Sequence, residues 1–594
     1  MPGVSRKCVL PSICGGTRID PGSDVRFDLR PLMRFLLLIL ALTLLAGCGR
    51  HRTPVEKANE EGILLIGNGT DPKDLDPQIT TGLPEFVVQT SLFEGLTTPN
   101  PRTSAPEPGV AESWTVNADS TVFTFHLRPE ARWSNGDPVT AQDFAFSYER
   151  ILSPAFAAEY AMLLFPIKNA RAFNTGQITD FSEVGVKALD THTLELTLEG
   201  PTPHLPTVIS HNAYFPVHPP TILKFGKMTD RHTRWTKPGN LVSNGPFQLE
   251  DWNLNERVLV KRNPYYWDAN TVRLNGIAFL PITNQNTEER AFRSGQLHIT
   301  NSVPLSKRDA YRLANSPDLH MDPWLGTYYY LLNTARPPFD NPLVREAFNA
   351  AIDRQALVDT VTRGGETIAF SIVPPNMEPY QSPTSPIKED VARAKKLLTD
   401  AGYPGGKGFP TVELLYNTSE THRPIAEALQ RMWHDNLGVE VDLVNQSWPV
   451  YLDRRKKGDY DIARAGWFGD FYDASTFLTM WTADSGLNHS GWASPEFDAL
   501  IKQSEMTGDP TERLNILREA ETVFLRDMPI IPLYYYNRIY LKRPEVKGWY
   551  PNLLDLHPFK YVWLEPVEQL SVKEKETADT PSQQPTEQPV TDNR

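Results

Sequence analysis

Residues 411–444 read TVELLYNTSETHRPIAEALQRMWHDNLGVEVDLV, and this stretch decides the fold class. At its two ends, residues 411–416 and 439–444 alternate apolar and polar side chains, which is typical of half-buried β-strands. Between them, apolar side chains recur at the spacing of one helix face: Ile425, Ala428, Leu429, Met432 and Trp433. This helix ends near Gly438. A strand, a helix and a strand at this spacing predict α/β layers with a partly parallel sheet over residues 385–470.

The sequence on either side of this stretch adds further elements. Apolar side chains at positions 391, 394, 397, 398 and 401 predict a helix that Gly402 terminates. Earlier in the chain, residues 121–127 and 193–198 alternate apolar and polar side chains and predict two more strands. The first half of the chain has more strand and turn signals than the second, so we expect a mixed α+β unit there.

Composition and charge exclude several classes of protein. The chain has 594 residues, of which 40% are apolar, so it can bury the cores of several domains of ~150 residues. The net charge is −13; without the six Lys/Arg and three Asp/Glu of residues 1–47, 53 basic residues face 69 acidic ones, a balance of −16. Because nucleic-acid phosphates require a basic surface, we expect no nucleic-acid partner.

All three cysteines, Cys8, Cys14 and Cys48, lie in the first 48 residues. The remainder of the chain therefore has no disulfide within it, no cysteine-ligated zinc or iron–sulfur site and no thiol nucleophile. There is also no His-Glu-x-x-His motif, no close His/Asp/Glu cluster with ligand spacing and no Gly-x-Ser-x-Gly motif. The acidic segment Asp71–Asp76 lacks the glycine and closing glutamate of a calcium loop, and we interpret it as a turn with solvated carboxylates. We therefore predict no metal, no cofactor and no enzymatic activity, with an enzyme of unknown type as the remaining alternative.

Residues 33–48, MRFLLLILALTLLAGC, have the pattern of an export signal. The apolar run over residues 35–45 is too short to span a hydrocarbon core of about 30 Å, which fits a secretory signal. The ending Leu-Ala-Gly-Cys resembles the bacterial lipobox, in which the cysteine is acylated. We predict a lipoprotein signal peptide over residues 33–47 and a lipid anchor on Cys48 in the cell envelope; an ordinary signal peptide or a membrane anchor is the alternative.

Three other segments near the chain termini are not predicted to belong to the folded body. Residues 1–32 precede a second Met-Arg start, and we interpret them as an extension from an upstream start codon, or else as a genuine cytoplasmic extension. Residues 48–60 are predicted to be a tether between the lipid and the folded body. Residues 571–594 contain no aromatic and almost no aliphatic side chain, so we predict a disordered tail.

Aromatic side chains cluster in the second half of the chain. Tyrosines occupy residues 328–330 and 534–536, and Trp467-Phe468 stands between two charged residues, Arg464 and Asp470. Core and interface packing is the simplest interpretation of any single aromatic residue. Charges beside an aromatic segment require partners once they are desolvated, which makes Arg464 and Asp470 candidate site residues.

The chain also resembles the peptide-binding family of solute receptors for ABC importers, from about Gly62 to Leu564. The resemblance rests on these segments: FTFHLR (123–128), WSNGDPVTAQDF (133–144), SNGPF (243–247), NPYYW (263–267), GTYYY (326–330), NPLVREAF (341–348), AIDR (351–354), LLYNTS (414–419) and ARAGW (463–467). It implies a periplasmic binding protein type II-like α/β fold, with mixed α+β lobes facing across a central ligand cleft. Three sequence-discontinuous domains are implied: residues 61–94, 221–325 and 538–570; residues 95–220; and residues 326–537.

The resemblance also implies how a ligand is held. Relatives bind an extended peptide between the lobes, engaging its backbone as an added β-strand. Asp470 would pair with the peptide α-ammonium, and Gly466 and Phe468 would supply backbone groups. The alternative for Asp470 is a structural ion pair with Arg464.

Further positions match residues of the family's cleft. Those matching its lining are Leu83, Tyr160, Asn301, Tyr329, Trp448, Trp467 and Tyr536. Those matching residues that meet peptide carboxylates are His422, Arg455 and Arg464. For His422 the alternative is a solvated side chain near the start of a helix.

Three departures from the family pattern affect this cleft. Two cysteines that form a disulfide in similar receptors correspond to Gly326 and Phe468, and the large Phe468 is expected to narrow a pocket. A basic residue used for the peptide C-terminus corresponds to Thr362, with Arg363 beside it. Where the family has Tyr-Asn-Glu-Pro after the aspartate, this chain has Phe-Tyr-Asp-Ala over residues 471–474.

The sequence therefore predicts an extracytoplasmic, lipid-anchored, monomeric receptor that delivers short peptides to ABC permease subunits. One alternative is a receptor of the same fold for another solute, such as haem, a nickel complex or an oligosaccharide. Another is a peptide-sensing, signalling or adhesion lipoprotein that feeds no transporter.

Overall fold

The computed structural model describes residues 52–375, 377–386 and 388–566. In chain order its strands are β1 Ile63–Gly67, β2 Thr97–Pro99, β3 Pro106–Pro108, β4 Ala111–Val116, β5 Val122–Leu127, β6 Val186–Ala188, β7 Thr193–Thr197, β8 Phe247–Asn253, β9 Arg257–Arg262, β10 Gly276–Leu280, β11 Leu319–Leu332, β12 Thr367–Ile368, β13 Val412–Asn417, β14 Val441–Gln446, β15 Ile462–Phe468, β16 Ile530–Leu541, β17 Val546–Lys547 and β18 Trp563–Leu564.

The α-helices alternate with these strands over most of the described chain. They are α1 Pro54–Glu61, α2 Leu83–Leu92, α3 Ala141–Leu152, α4 Ala170–Asn174, α5 Leu205–Val208, α6 Pro219–Phe225, α7 Gln285–Arg293, α8 Leu305–Leu313, α9 Pro342–Ala350, α10 Arg354–Ala356, α11 Val391–Asp400, α12 His422–Leu437, α13 Trp448–Lys456, α14 Ser475–Leu478, α15 Pro495–Glu505 and α16 Pro510–Asp527. A π-helix spans Leu357–Thr362. None of the helices in the described ranges combines the length and the apolar character needed to cross a bilayer.

The largest sheet has six strands in the order β12-β16-β11-β15-β13-β14. Strand β13 runs parallel to both β14 and β15, and α12 connects β13 to β14. The helix ends where Gly438 adopts φ +69°, a left-handed conformation that glycine reaches without a Cβ penalty. The predicted strand–helix–strand unit and its partly parallel sheet are therefore confirmed, as is the helix before Gly402.

Two other sheets have four strands each. One has the order β1-β10-β9-β8, with β1 parallel to β10, and the other has the antiparallel order β4-β5-β7-β6. In the second, Phe125 lies opposite Leu194, so the strands predicted over residues 121–127 and 193–198 pair with each other. Two short antiparallel pairs, β2-β3 and β17-β18, complete the topology of the described residues.

Both faces of the six-stranded sheet are covered by core. Along β11, Tyr328, Tyr330 and Leu332 enter one apolar cluster, whereas Tyr329 and Leu331 enter another. This alternation follows from the two-residue period of a strand. It explains why the run of three tyrosines is almost fully buried, with relative exposures of 0–2%. Packing is therefore the main role of Tyr328 and Tyr330.

Strands β11 and β16 form a long antiparallel pair, with a register shift between Pro323 and Thr327. The predicted domain boundaries at 325/326 and 537/538 fall inside these two strands. The division into three discontinuous domains stays a prediction, since the described residues from Thr53 onward form one compact unit.

The predicted tether over residues 48–60 is wrong for residues 53–60. Thr53 caps α1, accepting from the Glu56 backbone N–H while the Glu56 carboxylate accepts from the Thr53 N–H. The backbone N–H of Val55, which is buried, donates to Gly295 O at 2.9 Å. The folded body therefore includes this helix. Residues 1–32, the signal peptide, Cys48 and the tail over 571–594 lie outside the described residues, and those predictions stay as they are.

The acidic turn at residues 71–76 also differs from its prediction of solvated carboxylates. Asp74 and Asp76 are buried, with relative exposures of 4% and 1%. Asp76 forms a two-pronged ion pair with the buried Arg150, at 2.6 Å and 3.1 Å. Acidic spacing alone does not reveal a distant arginine, so the turn is a buried structural element.

Candidate functional site

A cavity of about 630 Å³ lies against the middle of the six-stranded sheet. Strands β11, β15 and β16 form one wall, and the N-terminal ends of α2, α12 and α13 approach it from the sides. All thirteen residues predicted to bind the ligand line this cavity: Leu83, Tyr160, Asn301, Tyr329, His422, Trp448, Arg455, Arg464, Gly466, Trp467, Phe468, Asp470 and Tyr536. The structure brings them together; their roles in binding stay predictions.

Strand β15 offers a free edge to the cavity. On one side it pairs with β11 from residue 462 to residue 468, but on the other side β13 pairs only with Ile462 and Ala463. From Arg464 to Phe468, no described strand occupies that second side. Apart from Arg464 O, which accepts from the Tyr451 hydroxyl, the backbone groups that face this second side are available to an added strand.

Two hydrogen bonds at the ends of the β11–β15 pair show which backbone amides of β15 face the free edge. The N–H of Gly469 donates to Leu325 O at 2.8 Å, and the N–H of Asn333 donates to Asp461 O at 3.0 Å. Odd-numbered residues of β15 therefore bond to β11, and even-numbered residues point their N–H and C=O the other way. Gly466 and Phe468 thus present backbone groups to the cavity, as the resemblance implies.

Gly466 also makes room for a tyrosine. A Cβ at this position would lie 2.7 Å from the hydroxyl oxygen of Tyr536, which is closer than real Cβ atoms come to other heavy atoms. That hydroxyl accepts from the Arg464 guanidinium at 2.8 Å. The glycine therefore lets Tyr536 hold Arg464 in place beside the free edge.

Asp470 follows the free edge and has an exposed side-chain fraction of 12%. Its carboxylate accepts from the hydroxyls of Tyr160 and Thr476, each at 3.4 Å. It also lies 3.3 Å from Nε2 of His211. The Ala213 N–H donates to the other ring nitrogen, Nδ1, so the proton of the neutral ring is on Nε2 and points at Asp470. Burial and the adjacent Asp470 raise the pKa of Tyr160 well above its ordinary value, so this hydroxyl remains a donor.

No ion pair within the described residues joins Asp470 to Arg464, so the structural ion pair that was the alternative for Asp470 is absent there. Among the described residues the carboxylate has three side-chain hydrogen-bond donors, Tyr160, Thr476 and His211, and no guanidinium or ammonium. A buried carboxylate held in this way can accept a cation from a ligand.

Two guanidinium groups also line the cavity. Arg464 donates to Tyr536 and lies over the ring of Tyr328 at 4.8 Å, whereas Arg455 donates to the Tyr451 hydroxyl at 3.3 Å. In each arginine the Nε atom is buried without a hydrogen-bond partner, and no carboxylate of the described residues pairs with either. Such donors are costly to leave unsatisfied, so they suit a ligand carboxylate.

His422 is the first residue of α12 and is buried, with a relative exposure of 9%. Its Nδ1 lies 3.2 Å from the hydroxyl of Tyr328. Burial, with a further contribution from Arg464, lowers the pKa of His422 well below its ordinary value. The solvated alternative for His422 is therefore wrong: the ring is a neutral hydrogen-bonding group inside the cleft.

The Glu288 carboxylate holds the loop that carries Asn301. The Glu288 carboxylate accepts from the backbone N–H of Asn301 at 2.8 Å and of Ser302 at 3.3 Å. Burial raises the pKa of Glu288 to about 7. The carboxyl group therefore positions Asn301, whose own side chain remains exposed in the cavity.

The family's basic residue at position 362 is absent here, and the structure shows which nearby side chains face the cavity. Thr362 is fully buried and donates to Glu366 at 2.9 Å, and Arg363 is a surface residue that bonds to Thr360 O and Asp309. The cation that lines the cavity here is Arg308, which donates to Glu366 at 3.1 Å and to Thr362 O at 2.7 Å. Near residue 362 it is therefore Arg308, and not Arg363, that lines the cavity.

Several residues of the site were not found by sequence reasoning. Among them are His211, which contacts Asp470, and three residues that line the cavity: Arg308 beside Glu366, Trp324 on β11 and His489 near Arg455. Burial, and then the nearby Arg455 and Lys456, lower the pKa of His489 to about 3. Each is a single residue without a local motif, and its position depends on contacts between segments far apart in sequence.

Comparison with known proteins agrees with this architecture. Residues 105–489 match the model of the bacterial extracellular solute-binding proteins, family 5. The periplasmic oligopeptide-binding protein OppA of Escherichia coli (strain K12) is 38% identical over 501 residues, which cover 82% of this chain and 90% of that protein. Solved structures of two similar peptide-binding proteins, OppA and MppA, confirm the mixed α/β fold that the resemblance predicts.

Two solved structures overlay with a TM-score of 0.80. One is Haemophilus influenzae OppA in complex with RPPGFSPFR, 34% identical, covering 85% of this chain and 99% of that one. The other is the Escherichia coli murein tripeptide-binding protein MppA, 35% identical, covering 84% and 98%. The unliganded open form of MppA gives a TM-score of only 0.60 at the same identity, covering 86% and 98%. From the family match and these identities, the chain belongs to the family 5 bacterial extracellular solute-binding proteins.

Proposed function

We propose that this protein is an oligopeptide receptor: it captures short peptides in the cavity and delivers them to an ABC permease. The charge arrangement carries this proposal. A carboxylate without an arginine or lysine partner, Asp470, follows one end of a free strand edge, and Arg464 begins that edge. Arg455 lines the same cavity, and neither guanidinium pairs with a carboxylate of the described residues. A zwitterionic peptide has the complementary charges at its two termini.

The free edge explains how such a site could accept many sequences. Backbone groups of Gly466 and Phe468 would pair with the ligand main chain, which is common to all peptides. Affinity then comes from main-chain hydrogen bonds and terminal charges, and side-chain identity is specified only weakly.

The comparisons support the same proposal. OppA of Escherichia coli is an oligopeptide-binding protein by name, and the Haemophilus influenzae protein was solved with a nonapeptide. The greater similarity to that complex than to an unliganded open form supports the view that the described arrangement is the closed one. Closure of two lobes around a ligand is a known switching movement.

Localisation and partners complete the proposal. A monomeric receptor held at the cell envelope by acylated Cys48 would pass its peptide to permease subunits, with no metal or cofactor and no catalysis. Two acyl chains anchor a protein stably where one gives only marginal binding.

Calorimetric titration of the purified protein with free tri-, tetra- and pentapeptides tests the proposal. We expect micromolar or tighter binding, about −8 kcal/mol or better, for at least one length. Haem, a nickel chelate and a cello-oligosaccharide are titrated in parallel. Binding of one of these without any peptide binding would assign a different solute and refute the peptide proposal.

A further inference from the structure

Gly326 and Phe468 form a matched pair inside the cleft. They lie directly opposite each other in the β11–β15 register. A Cβ at Gly326 would fall 2.4 Å from Cδ1 of Phe468, so the aromatic ring occupies the space that a side chain at position 326 would need. The ring is therefore held over β11 instead of extending freely into the cavity.

Two further rings fix the position of Phe468. Its ring stacks on Trp324, with centroids 3.8 Å apart and planes inclined by 26°, and it contacts Tyr536 at 4.5 Å. The guanidinium of Arg538 lies 5.5 Å from the Trp324 ring. Trp324, Phe468 and Tyr536 are each only half-buried, and all line the cavity. They form a rigid surface with aromatic faces open to a ligand, which we call the aromatic wall.

The aromatic wall stands beside the part of the site proposed to hold the start of the ligand. Phe468 supplies both a ring to the wall and a backbone edge to the cavity, and Asp470 follows two residues later. Two residues of extended chain span about 7 Å, so a ligand with its ammonium at Asp470 places its first two residues next to this wall.

Resting on the proposed peptide function, we propose that the aromatic wall is a subsite that selects an aromatic side chain within the first two residues of the bound peptide. Aromatic pairs prefer offset or edge-to-face packing and gain energy beyond that of buried area alone. Trp324 and Phe468 supply this interaction, and the adjacent free edge fixes the ligand backbone at the required distance. The specificity is thus added to a site whose main-chain contacts are indifferent to sequence.

The test compares the affinities of Ala-Ala-Ala, Phe-Ala-Ala, Ala-Phe-Ala and Ala-Ala-Phe by calorimetry. Peptides with cyclohexylalanine in place of phenylalanine have similar apolar bulk but no aromatic ring. We expect phenylalanine at position 1 or 2 to bind about twofold to twelvefold more tightly than cyclohexylalanine at that position. Phenylalanine at position 3 is expected to show no such advantage.

Phe468→Leu keeps an apolar side chain and removes the ring, so the aromatic advantage should disappear while Ala-Ala-Ala still binds. Phe181→Leu is the matched control, because Phe181 packs edge-to-face against Phe173, with ring centroids 5.3 Å apart, outside the cavity. It should leave the advantage unchanged.

A second variant covers the case in which Phe468→Leu fails to fold. Because odd-numbered residues of β15 bond to β11, residues 326 and 468 form a non-hydrogen-bonded pair. The Cα atoms of such a pair are about 4.5 Å apart, and a disulfide can bridge this separation. Oxidised Gly326→Cys/Phe468→Cys therefore keeps the strands together without the ring, and we expect it to bind Ala-Ala-Ala without aromatic preference.

The two proposals fail in different ways. If alanine peptides of three, four and five residues and their phenylalanine derivatives all fail to bind, the peptide function is refuted. If Ala-Ala-Ala binds but phenylalanine has no advantage at positions 1 and 2, or keeps it in the oxidised double-cysteine variant, the aromatic wall is refuted alone.

Discussion

Replacing Asp470 with asparagine removes one negative charge from the proposed ammonium site and changes little else. The amide has nearly the same shape, and its oxygen can still accept from Tyr160 and His211, which lie 3.4 Å and 3.3 Å from the same carboxylate oxygen. The side chain is only 12% exposed, so water would replace little of the lost interaction with a ligand cation.

The expected loss follows from this burial. Truncating one partner of a buried, hydrogen-bonded charge pair costs about 2–5 kcal/mol, which corresponds to an increase in Kd of about 30-fold to 4,000-fold. Part of this loss is the cost of leaving the peptide ammonium buried without a counter-charge. The prediction applies to peptides with a free N-terminus.

Calorimetry on a double-mutant cycle measures the coupling directly. Free and N-acetylated forms of one tripeptide are titrated into the wild type and into the Asp470→Asn variant. We expect acetylation to weaken binding to the wild type strongly and to the variant only slightly. Asp442→Asn is the matched control, because Asp442 is exposed on the outer strand β14 and should not affect either peptide. Equal losses for free and acetylated peptide in the Asp470→Asn variant would refute the assignment.

Four further outcomes are expected. Arg464→Gln should weaken binding about 10-fold or more for the peptide length whose carboxylate reaches it and leave the C-terminal amide of that peptide unaffected, as measured by calorimetry. Gly466→Ala should lower the free energy of unfolding by about 1–3 kcal/mol, because the new Cβ meets the Tyr536 hydroxyl, and Tyr536→Phe in the same chain should restore part of it in denaturant titrations. Burial raises the pKa of Glu521 from 4.5 to about 7, so the folded protein keeps a proton that the unfolded chain releases, and its contribution to stability falls between these pH values by about 3 kcal/mol. Glu521→Gln should therefore gain stability relative to the wild type as pH rises from 4.5 to 7, and a constant difference in thermal melts would contradict this. Cys48→Ser should move the protein from the membrane to the soluble fraction of its host, whereas unchanged partition would exclude the lipid anchor.

The sequence was sufficient to predict elements whose evidence is local. The β13–α12–β14 unit was predicted because strand alternation, one apolar helix face and a terminating glycine occupy a single continuous stretch. The candidate site was predicted because a long resemblance carries positions over one by one, and the thirteen residues do line one cavity.

The features that sequence reasoning missed or misjudged depend on contacts between distant segments. The sequence around Asp76 indicates a solvated carboxylate, because its buried partner Arg150 lies on α3, far away in the sequence. Residues 53–60 looked like a tether because the surface that buries Val55 belongs to other parts of the chain, including Gly295.

The same limit applies inside the cleft. His211 reaches Asp470 from a segment far away in the sequence, and no motif surrounds His211. The aromatic wall arises only when the β11–β15 register places Gly326 opposite Phe468 and leaves the ring against Trp324. Pairing register is a property of the sheet and cannot be read from one strand alone.

Native mass spectrometry of the protein, purified from its host without added ligand, tests the central claim most directly. If the cleft is a receptor for short peptides, the spectrum should contain a series of adducts whose masses equal those of peptides of a few residues, and Asp470→Asn should lose that series. A single non-peptide adduct retained by the Asp470→Asn variant, or an unliganded protein that acquires no adduct from a mixture of free peptides, would contradict the account.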